Sequence, residues 1–237
     1  MSYELPKKAK IQLLDSYYKS DSFPNWRLFK SFFVEFCEQA FAVNLKAQKG
    51  LGIFPMMFEE KNAYALHSLT PYVFSENPIK YKTKNKGELG DKKWACRFLV
   101  CRKNFKFEAY MESKKLWLNI GKNVWEFSGA CNSLIEEAFS QIKRLKSAGV
   151  DKEDTKSTKG AVFKVALFQI PIVYHPKFKP EEADLESAPK HLEKLLADKL
   201  KNNMGLLLSV LDMRPFGNWE GEAECNPFNV LAAVVIQ

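Results

Sequence analysis

Residues 105–112 read Phe-Lys-Phe-Glu-Ala-Tyr-Met-Glu. Phe105, Phe107, Ala109 and Met111 are apolar, and Lys106, Glu108, Tyr110 and Glu112 between them are polar or amphipathic. Such alternation marks a strand with one buried and one wet face, because successive side chains point to opposite sides. Lys93–Arg102 before it and Leu116–Ile120 after it add further strands through short turns, so an antiparallel meander is expected. A helix follows from about Cys131 to Lys146, with Leu134, Ile135, Ala138, Phe139, Ile142 and Leu145 on one stripe. Ser133 and Glu136 have the spacing of a capping box. Lys143, Arg144 and Lys146 suit the negative end of the helix dipole, and Gly149 ends the element.

Upstream, Ile11, Leu14, Tyr17 and Tyr18 suggest a short helix over residues 7–20. A second helix over residues 25–49 has Trp26, Phe29, Phe32, Phe33, Phe36, Cys37, Ala40 and Phe41 at three- and four-residue spacing, with Gly50 and Gly52 ending it. This aromatic stripe is expected to be core. Ile53–Phe58 and Ala63–Leu69 read as short strands.

Downstream, residues 147–160 lack an apolar pattern and form a surface loop, a weak candidate boundary in what reads as one domain over residues 1–237. Residues 161–174 form a strand in which Pro171 predicts a bend or an edge. Ser187, Pro189 and leucines 192, 195, 196 and 200 mark a third helix. Leu206–Leu211 and Val230–Ile236 are nearly continuous apolar runs and read as buried strands. The expected fold is α+β: an antiparallel meander sheet packed by amphipathic helices, with two N-terminal helices.

Charge is the second constraint. The chain has 237 residues and a formal net charge of +8. Residues 80–159 hold 19 basic and 10 acidic residues, a net of +9, while the flanking thirds hold +1 and −2. Such asymmetry points to a polyanionic partner. Lys80, Lys82, Lys84 and Lys86 occupy every second position. On a strand they would share one face, about 7 Å apart, near the phosphate spacing of a nucleic-acid strand. The same row could instead guard an edge strand against pairing with another chain.

No run of about 18 apolar residues is present, so no membrane span is expected. The first residues lack the apolar region of a signal peptide, and the five cysteines form no repeating pattern. A cytoplasmic, reduced setting is expected.

Glu112-Ser-Lys114, with Asp91 and with Glu38 on an earlier helix, resembles the Asp…Glu-x-Lys arrangement of restriction-type nucleases. That resemblance implies magnesium held by the carboxylates and a lysine that orients water. No proline precedes Asp91, a departure from the family pattern. Lys103, Phe105, Phe107 and Tyr110 resemble the aromatic strand of the RNA-recognition motif, from which Asn104, Lys106 and Glu108 depart. Lys106 and Glu108 cannot be buried cheaply, so Phe105 and Phe107 are expected to face inward. Ser128-Gly-Ala-Cys131 puts a thiol at a helix start, where a pKa can fall. No catalytic signature accompanies it, and a buried structural cysteine is expected. No C-x-x-C occurs, and His67, His175 and His191 have no partner four residues away. No metal or cofactor is expected outside the magnesium of the nuclease reading.

Three functions follow as expectations. The first is an accessory protein that binds nucleic acid through Lys80, Lys82, Lys84, Lys86, Lys92, Lys93, Arg97, Arg102 and Lys103, with Tyr81 or Trp94 stacking on unpaired bases. The second is a metal-dependent nuclease built on Asp91, Glu112 and Lys114. The third is a protein-interaction or self-assembling protein without a nucleic-acid ligand, suggested by 19 phenylalanines.

Overall fold

The two nearly continuous apolar runs lie side by side at the heart of a mixed sheet. A computed structural model describes residues 4–19, 24–52, 73–79, 93–102, 105–120, 125–144, 161–216, 219–220 and 225–236, with backbone alone at 24, 73–79, 93–102, 105–108, 144, 161, 178 and 219–220. Among the described residues nine strands form one sheet. They are β1 (Lys10–Leu14), β2 (Val73–Ile79), β3 (Lys93–Arg102), β4 (Phe105–Lys115), β5 (Leu118–Asn119), β6 (Ala161–Tyr174), β7 (Met204–Asp212), β8 (Trp219–Glu220) and β9 (Cys225–Ile236). The helices are α1 (Pro24–Leu51), α2 (Gly129–Arg144) and α3 (Glu182–Ala197). The main order is β1-β7-β9-β6-β4-β3-β2, with β5 beside β6 and β8 beside β9. All pairs are antiparallel except β4–β6 and β5–β6, which are parallel. The architecture is α+β, and strands on both sides of residues 147–160 belong to this sheet.

Both faces of the sheet are covered across β6, β7, β9 and the described part of β4, where Tyr110 is buried against the expectation of one wet face. Helix α1 packs Trp26, Phe29, Phe33, Phe36 and Phe41 against Met111, Phe163, Val165, Leu167, Leu207, Leu231 and Val235. Helices α2 and α3 cover the other face, where Ile135, Phe139, Leu192 and Leu196 meet Tyr110, Phe168, Leu208 and Val230. Every residue of β7 and β9 is buried. A strand covered on both sides needs apolar residues at every position, hence the continuous runs.

The expected aromatic stripe is therefore core. Its N-terminal end depends on Gly205: a Cβ there would lie 2.1 Å from Trp26 Cζ3 and 2.9 Å from Tyr18 Cδ2. Only glycine lets the two rings sit on this part of β7. The Tyr18 hydroxyl donates to the Trp26 carbonyl at 2.8 Å, and burial holds that phenol well above its ordinary pKa. At the C-terminal end Gly52, at φ 70°, donates its N–H to the Gln48 carbonyl at 2.9 Å. This closes α1 as expected of a glycine stop.

Several local expectations are overturned. Residues 10–14 form β1, not a first helix, leaving one helix in the N-terminal region. Five residues of helical spacing are weak against the pairing β1 makes with β7, Ile11 opposite Leu211 and Leu13 opposite Ser209. The third strand of the meander does not turn back on β4. It runs on as β5 beside β6, in parallel. The capping residue of α2 is Ser128, whose Oγ accepts the Cys131 N–H at 3.2 Å. Ser133 lies inside the helix and donates to the Gly129 carbonyl at 3.0 Å. Helix α3 begins at Glu182, and Pro189 sits within it instead of marking its start.

Pro171 lies in an internal strand, neither at an edge nor at a bend out of the sheet. Leu116 N–H donates to the Gln169 carbonyl at 2.9 Å. A regular parallel ladder would return the N–H of residue 171 to the Leu116 carbonyl. Proline has none to return. The ladder breaks at Leu116–Trp117, which separates β4 from β5, and resumes at Leu118 opposite Ile172, continuing to Ile120, whose N–H meets the Val173 carbonyl at 2.7 Å.

Candidate nucleic-acid interface

The lysine row enters the fold at one corner of the sheet. Lys80, Lys82, Lys84, Lys86, Lys92 and Lys103 lie outside the described residues, as do Tyr81 and Asp91. Their anchors are described. Ile79 ends β2 and pairs with Lys93, which opens β3, so the two ends of residues 80–92 are held side by side. Among the described residues β2 is the last strand of the sheet, so this corner belongs to an edge of the described sheet. The β3–β4 register pairs Cys96 with Met111. Continued for three residues, it sets Lys93 opposite Lys114.

The other β3 positions spread away from that corner. Arg97 pairs with Tyr110, and Arg102 pairs with Phe105 at the far end. Nine residues of strand separate Lys93 from Arg102, about 30 Å. The register therefore gathers Lys93 with the ends of the lysine row and leaves Arg102 apart.

Two further lysines stand at this corner, on opposite faces. Lys114 follows Tyr110 and Glu112 on the α2 face. Its Nζ lies 3.3 Å from Glu112 Oε1 and 3.4 Å from Glu137 Oε1 on α2. Gln141 Nε2 donates to the same Glu137 oxygen at 3.0 Å. Burial would lower the Lys114 ammonium, but the Glu112 and Glu137 carboxylates outweigh it and hold the pKa above the ordinary lysine value.

Lys115 follows Ala109, Met111 and Ser113 on the α1 face. Its Nζ sits 4.4 Å from the centre of the Trp117 ring. Burial pushes this ammonium below the ordinary lysine value. Among the described residues no carboxylate forms an ion pair with it. Lys115 pairs across to Gln169 of β6. The neighbouring Ser113 is 5% exposed, and its Oγ has no hydrogen-bond partner among the described residues. Trp117 lies between β4 and β5, two positions on from Lys115, and packs on the same side of the sheet.

The nuclease constellation is not assembled among the described residues. Glu112 and Lys114 are ion-paired on the α2 face, whereas Glu38 is exposed on α1, across the sheet. No group of three or more His, Cys, Asp or Glu side chains that could hold a metal occurs among the described residues. Four acidic residues, Glu88, Asp91, Glu108 and Glu112, are the ones that would interrupt a basic track: Glu112 is ion-paired with Lys114, and Glu88, Asp91 and the side chain of Glu108 lie outside what the structure describes.

The remaining candidates are structural. Cys131 is buried, and its thiol points at the Trp117 carbonyl, 3.7 Å away. Cys37, Cys131 and Cys225 are free and buried. His191 packs against Trp125 with ring centres 5.0 Å apart, and His175 Nδ1 accepts the Lys177 N–H at 3.1 Å. His67 lies outside the described residues.

Sequence reasoning missed the Lys115–Trp117 pair. The available signal was Lys-Leu-Trp at the end of an alternating strand, a cation and an aromatic on one face. Compared with family models, curated proteins and solved structures, the chain matches none, and its function rests on the residues described above.

Proposed function

We propose that this is an intracellular accessory protein that binds a nucleic acid through the basic stretch 80–103, at the β2–β3 corner. The observation that carries the reading is the pairing of Ile79 with Lys93 within a central third of net charge +9. This pairing confines five lysines, between positions 80 and 92, to a connection whose ends meet. Concentrated cations release counterions from a phosphate backbone on binding, and that release drives association. Lys93 and Lys115 add charge at the same corner. The free, buried cysteines fit a reducing compartment.

The test is charge reversal. With Lys82, Lys84 and Lys86 all changed to Glu, binding of a labelled oligonucleotide weakens. The slope of log affinity against log salt flattens by about two to three, as expected for three lost phosphate contacts. Affinity and slope equal to those of the unchanged protein would remove this stretch from the site.

Metal-dependent cleavage and partner docking gain less support. Lys114 is neutralised between two carboxylates, and Glu38 lies across the sheet from Glu112. The aromatic residues of α1 that suggested an apolar docking patch are buried.

A further inference from the structure

We infer that Trp117 and Lys115 form a stacking subsite for one unpaired base, so that the nucleic acid is taken as a single strand. This rests on the reading of the basic stretch as a nucleic-acid site, and adds the class of strand and the residues that hold it.

The inference stands on the geometry of the β4–β5 break. Trp117 is only partly buried, packed at the rim of the α1-side core. Lys115 lies 4.4 Å over its ring. An ammonium over an indole face gains from the ring quadrupole, but here it is also partly withdrawn from water. No carboxylate among the described residues offsets that withdrawal. Lys114, one residue earlier, is held between Glu112 and Glu137. Neighbouring lysines on one strand thus have opposite electrostatic settings, one satisfied within the protein and one not.

A nucleotide supplies what Lys115 lacks. Its phosphate offers the anion, and its base offers a flat face for the indole. On binding, the flexible lysine stem swings its ammonium to the phosphate, and the base takes its place on the ring. Lys93 opens β3 beside the end of β4 that carries Lys115, which brings one end of the basic stretch next to the strand that holds this subsite. A base within a duplex is already stacked on both faces and cannot use the ring. The buried, unpartnered Ser113 hydroxyl beside Lys115 is a further polar group at this position.

The experiment uses the full chain and fluorescence anisotropy with three labelled probes of equal length: an oligodeoxythymidylate, an oligouridylate and a DNA duplex. Either single strand is expected to bind at least tenfold more tightly than the duplex at one salt concentration, and the two single-strand arms tell DNA from RNA. Trp117→Leu, which keeps apolar packing but removes the indole, is expected to weaken single-strand binding by about tenfold with the salt slope unchanged. Lys115→Met is expected to weaken binding and flatten the slope by about one. Trp117→Phe retains part of the stacking and guards against a folding defect in Trp117→Leu, checked by melting temperature. Equal affinity for the duplex overturns the inference. So does wild-type affinity in a folded Trp117→Leu, even if reversal of the three lysines abolishes binding. Failure of all three probes to bind the unchanged protein overturns the basic-stretch reading itself.

Discussion

Lys114 holds its charge between Glu112 and Glu137, and that arrangement has a pH signature. Its folded pKa lies above the ordinary value, so the folded state binds the proton more tightly than the unfolded chain. The stabilisation is fully present below the unfolded lysine pKa and is lost as pH rises through the folded one. Glu112→Gln is expected to lower stability at neutral pH by about 1 kcal/mol, given partial exposure. The difference from wild type should shrink above the lysine range, as read from urea midpoints across pH. A constant difference would assign the loss to packing. These residues also show what alternation conveys and what it omits. It separates Ala109 and Met111 from Tyr110 correctly, since they lie in different core clusters. It does not reveal that Tyr110 is buried too, because the cover on that face comes from α2, α3 and strands far along the chain. The Lys115–Trp117 contact is marked locally only by Lys-Leu-Trp, two positions that share a face at the end of an alternating strand.

Among the elements, α1 and α2 were the most legible, because long apolar stripes at helical spacing leave few alternatives. Their termini were less so. Ser128 and Ser133 both stand near the start of α2, and the sequence favours the wrong one because Glu136 completes a capping pattern with Ser133. In the fold, Ser128 holds the Cys131 N–H, one of the free N–H groups in the first turn of the helix. Ser128→Ala is expected to cost about 1 kcal/mol, and Ser133→Ala to be close to neutral. Chemical denaturation of both variants decides between the assignments, since a reversed order would restore Ser133 as the cap. Short elements misled for a different reason. Ile11, Leu14, Tyr17 and Tyr18 fit a helix by spacing, but β1 is chosen by the hydrogen bonds available along β7. Pro171 was read from its own chemistry, correctly in that a ladder is interrupted, and wrongly in that the strand remains internal.

At the scale of the molecule, the sheet order could not be read locally. It joins Lys10–Leu14 to Leu208–Asp212 and Phe107–Lys115 to Ala161–Gln169, pairings set by the summed burial of two faces. The three-layer arrangement predicts a graded resistance to opening. Amide exchange should be slowest in β6, β7 and β9, which have strands on both sides and helices on both faces, and faster in the edge strand β1. Uniform protection across these strands would contradict the layering.

The partner of β1 has a consequence for biosynthesis. Strand β1 finds its complement only after about 190 further residues have been made, and that complement is itself flanked by β9. Closure of so distant a contact is entropically slow. The nascent chain therefore carries Lys10–Leu14 unmatched until β7 has been made, and a polypeptide interrupted before Met204 keeps that edge open to whatever it meets.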